Sequence, residues 1–292
     1  MAVPIVFAID DAYLDPLMVA LVSLRAANPW LADGDGIVVL HENLSDLAKD
    51  QIMRCADLLG LAADIRRARL PDLDYNTALG GARANYLRLA IPDTITGADR
   101  VLYLDADIVV TGDIRPLAGA DLAGLPIGAV RDAINPTLGT GKALPGWREL
   151  GLDADREYFN SGVMVIDLLA AAADGLFERA FAAVTAHGPR LRLWDQDALN
   201  LAAADRWCRL ARKWNTIPFS ALRRTPWLRY SAEHVTQSAQ LIADEQDSVI
   251  MHYVSPSKPW RGLLPSGHAS DLYQRHAASV DRLLHRTSPE EA

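Results

Sequence analysis

The sequence predicts an α/β protein built on a Rossmann-like, doubly wound and mostly parallel sheet flanked by helices, and three observations predict it. Short apolar runs of strand-forming residues alternate with segments of helical spacing through the first hundred residues. The runs Val3–Ile9 and Val101–Leu104 carry no charged side chain, as befits buried strands. Each stops at a cluster of aspartates, Asp10–Asp11 and Asp105–Ala106–Asp107. In open α/β sheets ligands sit beyond the carboxyl ends of the strands, so both clusters fall where a nucleotide would bind.

Taken in order, Val3–Ile9 is the first strand. Asp15 is expected to cap the next helix, with Pro16 at its first position, Leu17, Leu21 and Leu24 along one face, and Asn28-Pro29 as its end. Ile37–Leu40 is the second strand. Ser45 caps a helix to Leu59 that Gly60 closes. A third, weaker strand lies within Ala62–Leu70. Asp72–Gly81 reads as a loop. Ala82–Ala90 reads as a helix ended before Pro92, with Arg83 and Arg88 on different faces. Gly112, Asp113 and Pro116 follow the aspartate-ended strand as a turn, and Ile127–Val130 is another strand. Asn135–Trp147 holds three glycines and two prolines and is expected to be a mobile loop. Tyr158–Leu168 is the second strongly apolar stretch, Phe177–Ala186 is helical, and Asp195 is expected to cap a helix through Ala204. Trp207–Tyr230 is rich in Trp and Arg without clear periodicity. Val249–Val254 is a last short strand, and Asp271–Arg286 suits a helix docked on the body.

The 292 residues can bury one large core or two modest ones, and 50% hydrophobic with 23% charged content is ordinary for a globular protein. A net charge of −8 argues against nucleic acid as a partner, which would need a concentrated basic surface. Cys55 and Cys208 are too few for a disulfide framework, so a reducing cytoplasm is expected. The opening MAVPIVFAID lacks a basic n-region, and no run of 18 apolar residues occurs, so neither a signal peptide nor a spanning helix is expected. An Arg-bearing tail leaves at most a peripheral contact with the inner membrane face. Only four basic residues are lysines, Lys49, Lys142, Lys213 and Lys258, which makes the setting of Lys258 worth noticing.

In extended backbone, Asp105 and Asp107 face one side, and two convergent carboxylates repel unless a cation or a shared proton lies between them. Hard oxygen ligands suit Mg²⁺ or Mn²⁺ beneath a nucleotide diphosphate; the plain alternative is a solvated acidic turn. His252, at the end of a strand, can add a nitrogen ligand, which favours Mn²⁺ over Mg²⁺, or can be a satisfied core histidine. Lys258, in the stiff segment SPSKPW, can meet phosphate charge or lie on the surface. Asp195, Gln196, Asp197 and Asn200 can fix sugar hydroxyls, or merely cap a helix and complement its dipole. Asn160, Ser161 and Gly162 interrupt an apolar strand as site residues or as a β-bulge. Trp207, Trp214 and Trp227, with Arg209, Arg223, Arg224 and Arg229, form either an acceptor clamp or core.

Read together, IVFAIDDAY, YLRL, LYLDADIVV, FNSGVMVIDL, WDQDALN and HYVSPSKPW resemble, in order, the motifs of the retaining glycosyltransferases of family 8, the group of lipopolysaccharide galactosyl- and glucosyltransferases that includes glycogenin. The resemblance runs from about Ile5 to Trp260. It implies a single GT-A catalytic domain over residues 1–265, with a nucleotide-binding half (1–115), a donor-sugar and acceptor half (116–265), and a helical tail (266–292). It implies a UDP-hexose donor, a saccharide, lipid-linked or protein glycan acceptor, and Mn²⁺ held by Asp105, Asp107 and His252, with Mg²⁺ as second candidate. Ala8 and Asp10, with Asp11 beside them, would contact the uracil side. Arg88 would meet the donor sugar and phosphate, Asp105 and Ala106 would lie in the nucleotide site, and Asn160 and Ser161 would lie near the sugar. Asp195 would accept from sugar hydroxyls and Gln196 would sit beside the anomeric carbon. Ser255 and Lys258 would lie on the diphosphate. Ser255 stands where the family usually has Gly, and Ala12 replaces a common polar residue.

Two readings from other classes stand beside this one. A haloacid-dehalogenase-type phosphatase also carries DxD after an apolar strand, but begins with it, whereas here the motif lies about 100 residues in. A sugar-nucleotide-binding protein without turnover would keep the same ligand residues.

Overall fold

The computed structural model describes residues 3–33, 36–77 and 82–285. Seven strands form one sheet: β1 (Ile5–Ala8), β2 (Ile37–His41), β3 (Ala63–Arg67), β4 (Arg100–Leu104), β6 (Ile127–Arg131), β7 (Phe159–Asp167) and β8 (Cys208–Arg209), in the order β3-β2-β1-β4-β7-β6-β8. Within this sheet β7 alone runs antiparallel to its neighbours, β4 and β6. The other pairs are parallel. A second, two-stranded antiparallel sheet joins β5 (Ile108–Val110) to β9 (Ile250–His252), with Ile108 opposite His252.

Alternation along the central strands feeds two cores. Val6, Tyr103, Met164 and Ile166 point to one face, and Ile5, Phe7, Leu102, Leu104, Val163 and Val165 to the other. A sheet covered on both faces favours apolar residues along its central strands, and the polar site residues gather toward strand ends.

Several helix ends match the local chemistry. Ser45 Oγ accepts from Ala48 N at the start of the helix Asp46–Leu59, and Gly60 ends it with a left-handed φ of 66°. Two expected caps are corrected. The helix Leu14–Ala27 is entered from Tyr13, so Asp15 lies inside it, while Asp10 caps a short 3₁₀ turn, Asp11–Tyr13. The helix Trp194–Ala203 is entered from Leu193, and the carboxylate that accepts from Leu193 N is Asp197, not Asp195. Nor does Pro92 end its helix: a 3₁₀ segment, Arg83–Ala90, passes into a helical turn, Ile91–Thr94, whose first turn holds that proline at no hydrogen-bonding cost.

Asn135–Trp147 is irregular but packed. Leu138, Ala143 and Leu144 are buried, Lys142 N and Leu144 N donate to Asn135 Oδ1 and Asp197 Oδ1, and Asp132 Oδ1 accepts from Ile134 N and Asn135 N. Its glycines and prolines shape a loop that is packed on the body and held by these hydrogen bonds. The last residues of Asp72–Gly81, 78–81, and Arg286 of the tail lie outside the described residues. The tail helix, His268–Leu284, buries Leu272 and Tyr273; Tyr253 Oη donates to Ala269 O at 2.8 Å.

Candidate active site

Four parts of the chain meet at the carboxyl end of β4. Asp105 N donates to Gly162 O at 2.7 Å, which ties the aspartate segment to β7, while the β5–β9 ladder brings His252 beside it. His252 Nε2 lies 3.2 Å from Asp107 Oδ1 and 3.5 Å from Asp105 Oδ2. These three residues offer ligand atoms within 4.8 Å of one another. His252 Nδ1 faces Asn215 Oδ1 at 2.8 Å, an acceptor that keeps the ring proton on Nδ1 and leaves Nε2 to the carboxylate pair. Gly162 makes the approach possible, because a Cβ there would lie 2.2 Å from His252 Cε1 and 2.7 Å from Asp105 Oδ2.

Cations surround the carboxylates. Lys258 Nζ donates to Asp107 Oδ2 at 2.5 Å and to Tyr253 O at 2.7 Å. Arg88 Nη2 lies 2.9 Å from Asp105 Oδ1, and its Nε lies 3.0 Å from Asp195 Oδ2. Tyr103 Oη adds a 2.7 Å hydrogen bond to Asp105 Oδ1. Burial alone would raise both acids, but Lys258 and His252 hold Asp107 below the usual carboxylate range, and Arg88 does the same for Asp105. Burial also opposes charge on His252, yet Asp107 and Asp105 outweigh it and raise the imidazole to about 9. Asp195 behaves differently. Burial prevails over its Arg88 partner, and the carboxyl is pushed up to about 6.

The polar contacts close into a ring. Asn215 Nδ2 donates to Asn160 Oδ1 at 2.8 Å, and Asn160 Nδ2 to Asp132 Oδ2 at 3.0 Å. Gln196 Nε2 reaches the same Asp132 oxygen at 3.2 Å, while its Oε1 accepts from Ser161 N at 3.1 Å. Ser161 Oγ donates to Asp195 Oδ2 at 2.9 Å, and Arg88 returns the path to Asp105. Every member holds its neighbour's rotamer, which is the preorganisation a reactive site needs. The β6–β7 register shifts between Ala129 and Val130, with Val130 opposite Asn160, so the bulge expected at Asn160–Gly162 is present.

The remaining candidates are placed less centrally. Ala8 ends β1, and Asp10 Oδ1 accepts from Ala12 N. Asp11 is exposed and turns to Ser45, accepting from its N and Oγ. Ala106 is buried in the core. Ser255 Oγ accepts from Ser257 N, and its backbone φ is not positive, so a side chain replaces Gly there without strain. The tryptophans form no clamp: Trp207 packs on Phe159 in one core, Trp214 lies in the other, and Trp227 Nε1 donates to Ser257 Oγ. Their bulk serves packing, which an aperiodic segment does not reveal.

Sequence reasoning did not single out Asp132, Asn215, Tyr103 or Tyr13. Asp132 directly follows β6, and the strand-end rule that found Asp10 and Asp105 would have found it too. Tyr103 stands two residues before Asp105, on its face. Tyr13 packs edge-on against Trp260, with ring centroids 5.9 Å apart, and Lys258 Nζ lies over both rings. Asn215 gives no local signal, since only the fold brings it to His252.

The model of the family described as "Glycosyl transferase family 8" matches residues 4–263. The chain belongs to glycosyl transferase family 8. It is 30% identical over 183 residues to general stress protein A of Bacillus subtilis, which covers 61% of the chain and 59% of that protein. It is 27% identical over 260 residues to a lipopolysaccharide 1,2-glucosyltransferase of Escherichia coli, covering 88% of the chain and 72% of that protein. This family 8 chain thus spans about three fifths of the first of these relatives. Among solved structures, galactosyltransferase LgtC in complex with donor and acceptor sugar analogues superposes with a TM-score of 0.73 at 26% identity, covering 99% and 98% of the two chains. The fold is therefore GT-A, as the resemblance implied. Family membership also removes the phosphatase reading, and Asp105, pinned by Arg88 and Tyr103, is no free nucleophile. No helix among the described residues is long and apolar enough to cross a membrane.

Proposed function

We propose that this family 8 protein is a retaining, Mn²⁺-dependent hexosyltransferase that moves galactose or glucose from a UDP-sugar to a saccharide or glycoconjugate acceptor. The observation that carries the reading is the meeting of Asp105, Asp107 and His252 within ligand distance of one another, with Lys258 and Arg88 beside them. The donor set fits a divalent ion: two carboxylate oxygens and an imidazole nitrogen whose other nitrogen is held by Asn215. Bound there, the ion would supply Lewis-acid stabilisation of the diphosphate charge. In this reading residues 1–115 hold the nucleotide and 116–265 the donor sugar and acceptor.

The chain's own residues do the rest. Departure of UDP builds negative charge on the diphosphate, which Lys258 and Arg88 meet from a buried, preformed position. Asp195, joined to Ser161 and Arg88, accepts from a sugar hydroxyl, and Gln196 orients the sugar at the anomeric carbon. Both ends of the Gln196 amide are engaged and the Asp195 carboxylate is ion-paired, so neither supports a free nucleophile. The proposed course is front-face transfer, with the leaving phosphate taking the acceptor's proton.

The test is a donor screen for metal-dependent UDP release. Turnover should require Mn²⁺ and fall on the order of 10²–10³-fold in Asp107→Ala, by analogy with the loss of a charge-stabilising donor. Full turnover of that variant with added Mn²⁺ would sink the metal assignment. No UDP release from any UDP-hexose would leave a binding protein without catalysis.

A further inference from the structure

A charged cleft lies at the end of β6, the strand that leads into Asp132. The end of β6, Val130 and Arg131, and the segment Arg209–Arg212 line a cleft of about 380 Å³, within the usual small-molecule range of roughly 300–1,000 Å³. Three guanidiniums border it, and their ion pairs use only two carboxylates. Arg131 Nη1 and Arg209 Nη1 share a single oxygen, Glu157 Oε1, at 3.1 and 3.0 Å, and Arg212 Nε pairs with Asp244 Oδ2 at 2.5 Å. Arg131 Nη2 donates to Thr236 Oγ1, but its Nε is buried without a partner. Three guanidiniums paired with two carboxylates leave excess positive charge, which an anion in the cleft would offset. Burial and the adjacent Arg209 press the Arg131 guanidinium below its ordinary range, which points the same way.

The cleft adjoins the polar ring of the site through the end of β6. Arg131 precedes Asp132, whose Oδ2 holds Gln196 and Asn160, and Val130 pairs with Asn160 across the β6–β7 ladder. Tyr230 Oη lies within electrostatic reach of Arg212, Arg131 and Asp132 together. Forked guanidiniums match the oxygens of a phosphate better than any neutral group. From these placements, and resting on the transferase reading above, we propose that the cleft bordered by Arg131, Arg209 and Arg212 binds a phosphate group carried on the acceptor saccharide.

Calorimetry tests this on the whole protein with Mn²⁺–UDP present to occupy the donor site, in a buffer free of phosphate. Glucose 6-phosphate, glucose and inorganic phosphate are the probes. Glucose 6-phosphate should bind at least about 10-fold more tightly than glucose, and Arg209→Gln should remove most of that preference, as expected for a lost charge-assisted hydrogen bond. Arg212→Gln serves as a second variant, with thermal melting to show that each folds. Equal binding of glucose and glucose 6-phosphate overturns the proposal, as does a preference that survives both substitutions in folded protein. Inorganic phosphate binding as tightly as the sugar phosphate overturns the acceptor assignment and leaves a site for the free ion. The UDP titration is read separately, so a protein that binds the sugar phosphate but no Mn²⁺–UDP refutes the donor reading while the anion site stands.

Discussion

At the scale of single residues, the site depends on what position 162 lacks. A methyl group on Gly162 would fall against His252 and Asp105 at once, and both are fixed by further hydrogen bonds. Gly162→Ala is therefore expected to weaken Mn²⁺ binding at least about 10-fold, as disturbed ligand geometry does, and to cost about 1–3 kcal/mol of stability by overpacking; manganese titration by electron paramagnetic resonance measures the first and thermal melting the second. Asp195 presents the opposite balance, a buried carboxyl kept at about 6 from an ordinary 3.8. Because the folded value is raised, its contribution to stability is fully present below pH 3.8 and is lost as the pH rises through about 6. Asparagine resembles the neutral acid. In protein free of metal and donor, Asp195→Asn should gain on the order of 1–3 kcal/mol at pH 7, a gain that disappears near pH 4 in melting experiments. The same variant should lose transferase activity, since stability and function are in conflict there.

At the scale of elements, polar residues near helix starts proved ambiguous. Ser45 and Gly60 act where local chemistry puts them, because nothing else competes for them. Asp15 and Asp195 fit the capping pattern equally well, yet the helices begin one residue before each, and Asp195 turns to Arg88 and Ser161. A side chain claimed by a buried ion pair is not available to a backbone N–H, and sequence spacing does not register that competition. The 3₁₀ turn Arg212–Trp214 leads to Asn215, whose amide links His252 to Asn160. Asn215→Leu would free His252 to take the other tautomer. Metal affinity should fall roughly 10–100-fold, the usual cost of losing a partner behind a ligating histidine. Asn215→Asp, which keeps the acceptor, should retain most of it.

At the scale of the molecule, the proposed ligand site joins segments that are distant in the chain: the end of β4, the bulge of β7 and the loop after β9. Mn²⁺ and UDP together should therefore stabilise the fold by mass action, by about 2.7 kcal/mol at a hundredfold excess over Kd. A thermal shift that needs both and is reversed by a chelator would show it; an equal shift with UDP alone would contradict the metal's role. Much of this was legible in the sequence. The strand–helix alternation, the sheet, the Asp105–Asp107 pair and the family motifs are local patterns, set by side-chain period and by chemistry within a few residues. The resemblance implied that His252 joins the two aspartates, and the tertiary structure shows how, through the β5–β9 pairing; it alone decided that Asn215 and Asp132 complete the ring and that Trp207 and Trp214 belong to opposite cores. The reason is physical. Periodicity reports whether a residue faces a core, whereas the partner it finds there depends on strand order and crossover, which no short stretch of sequence contains.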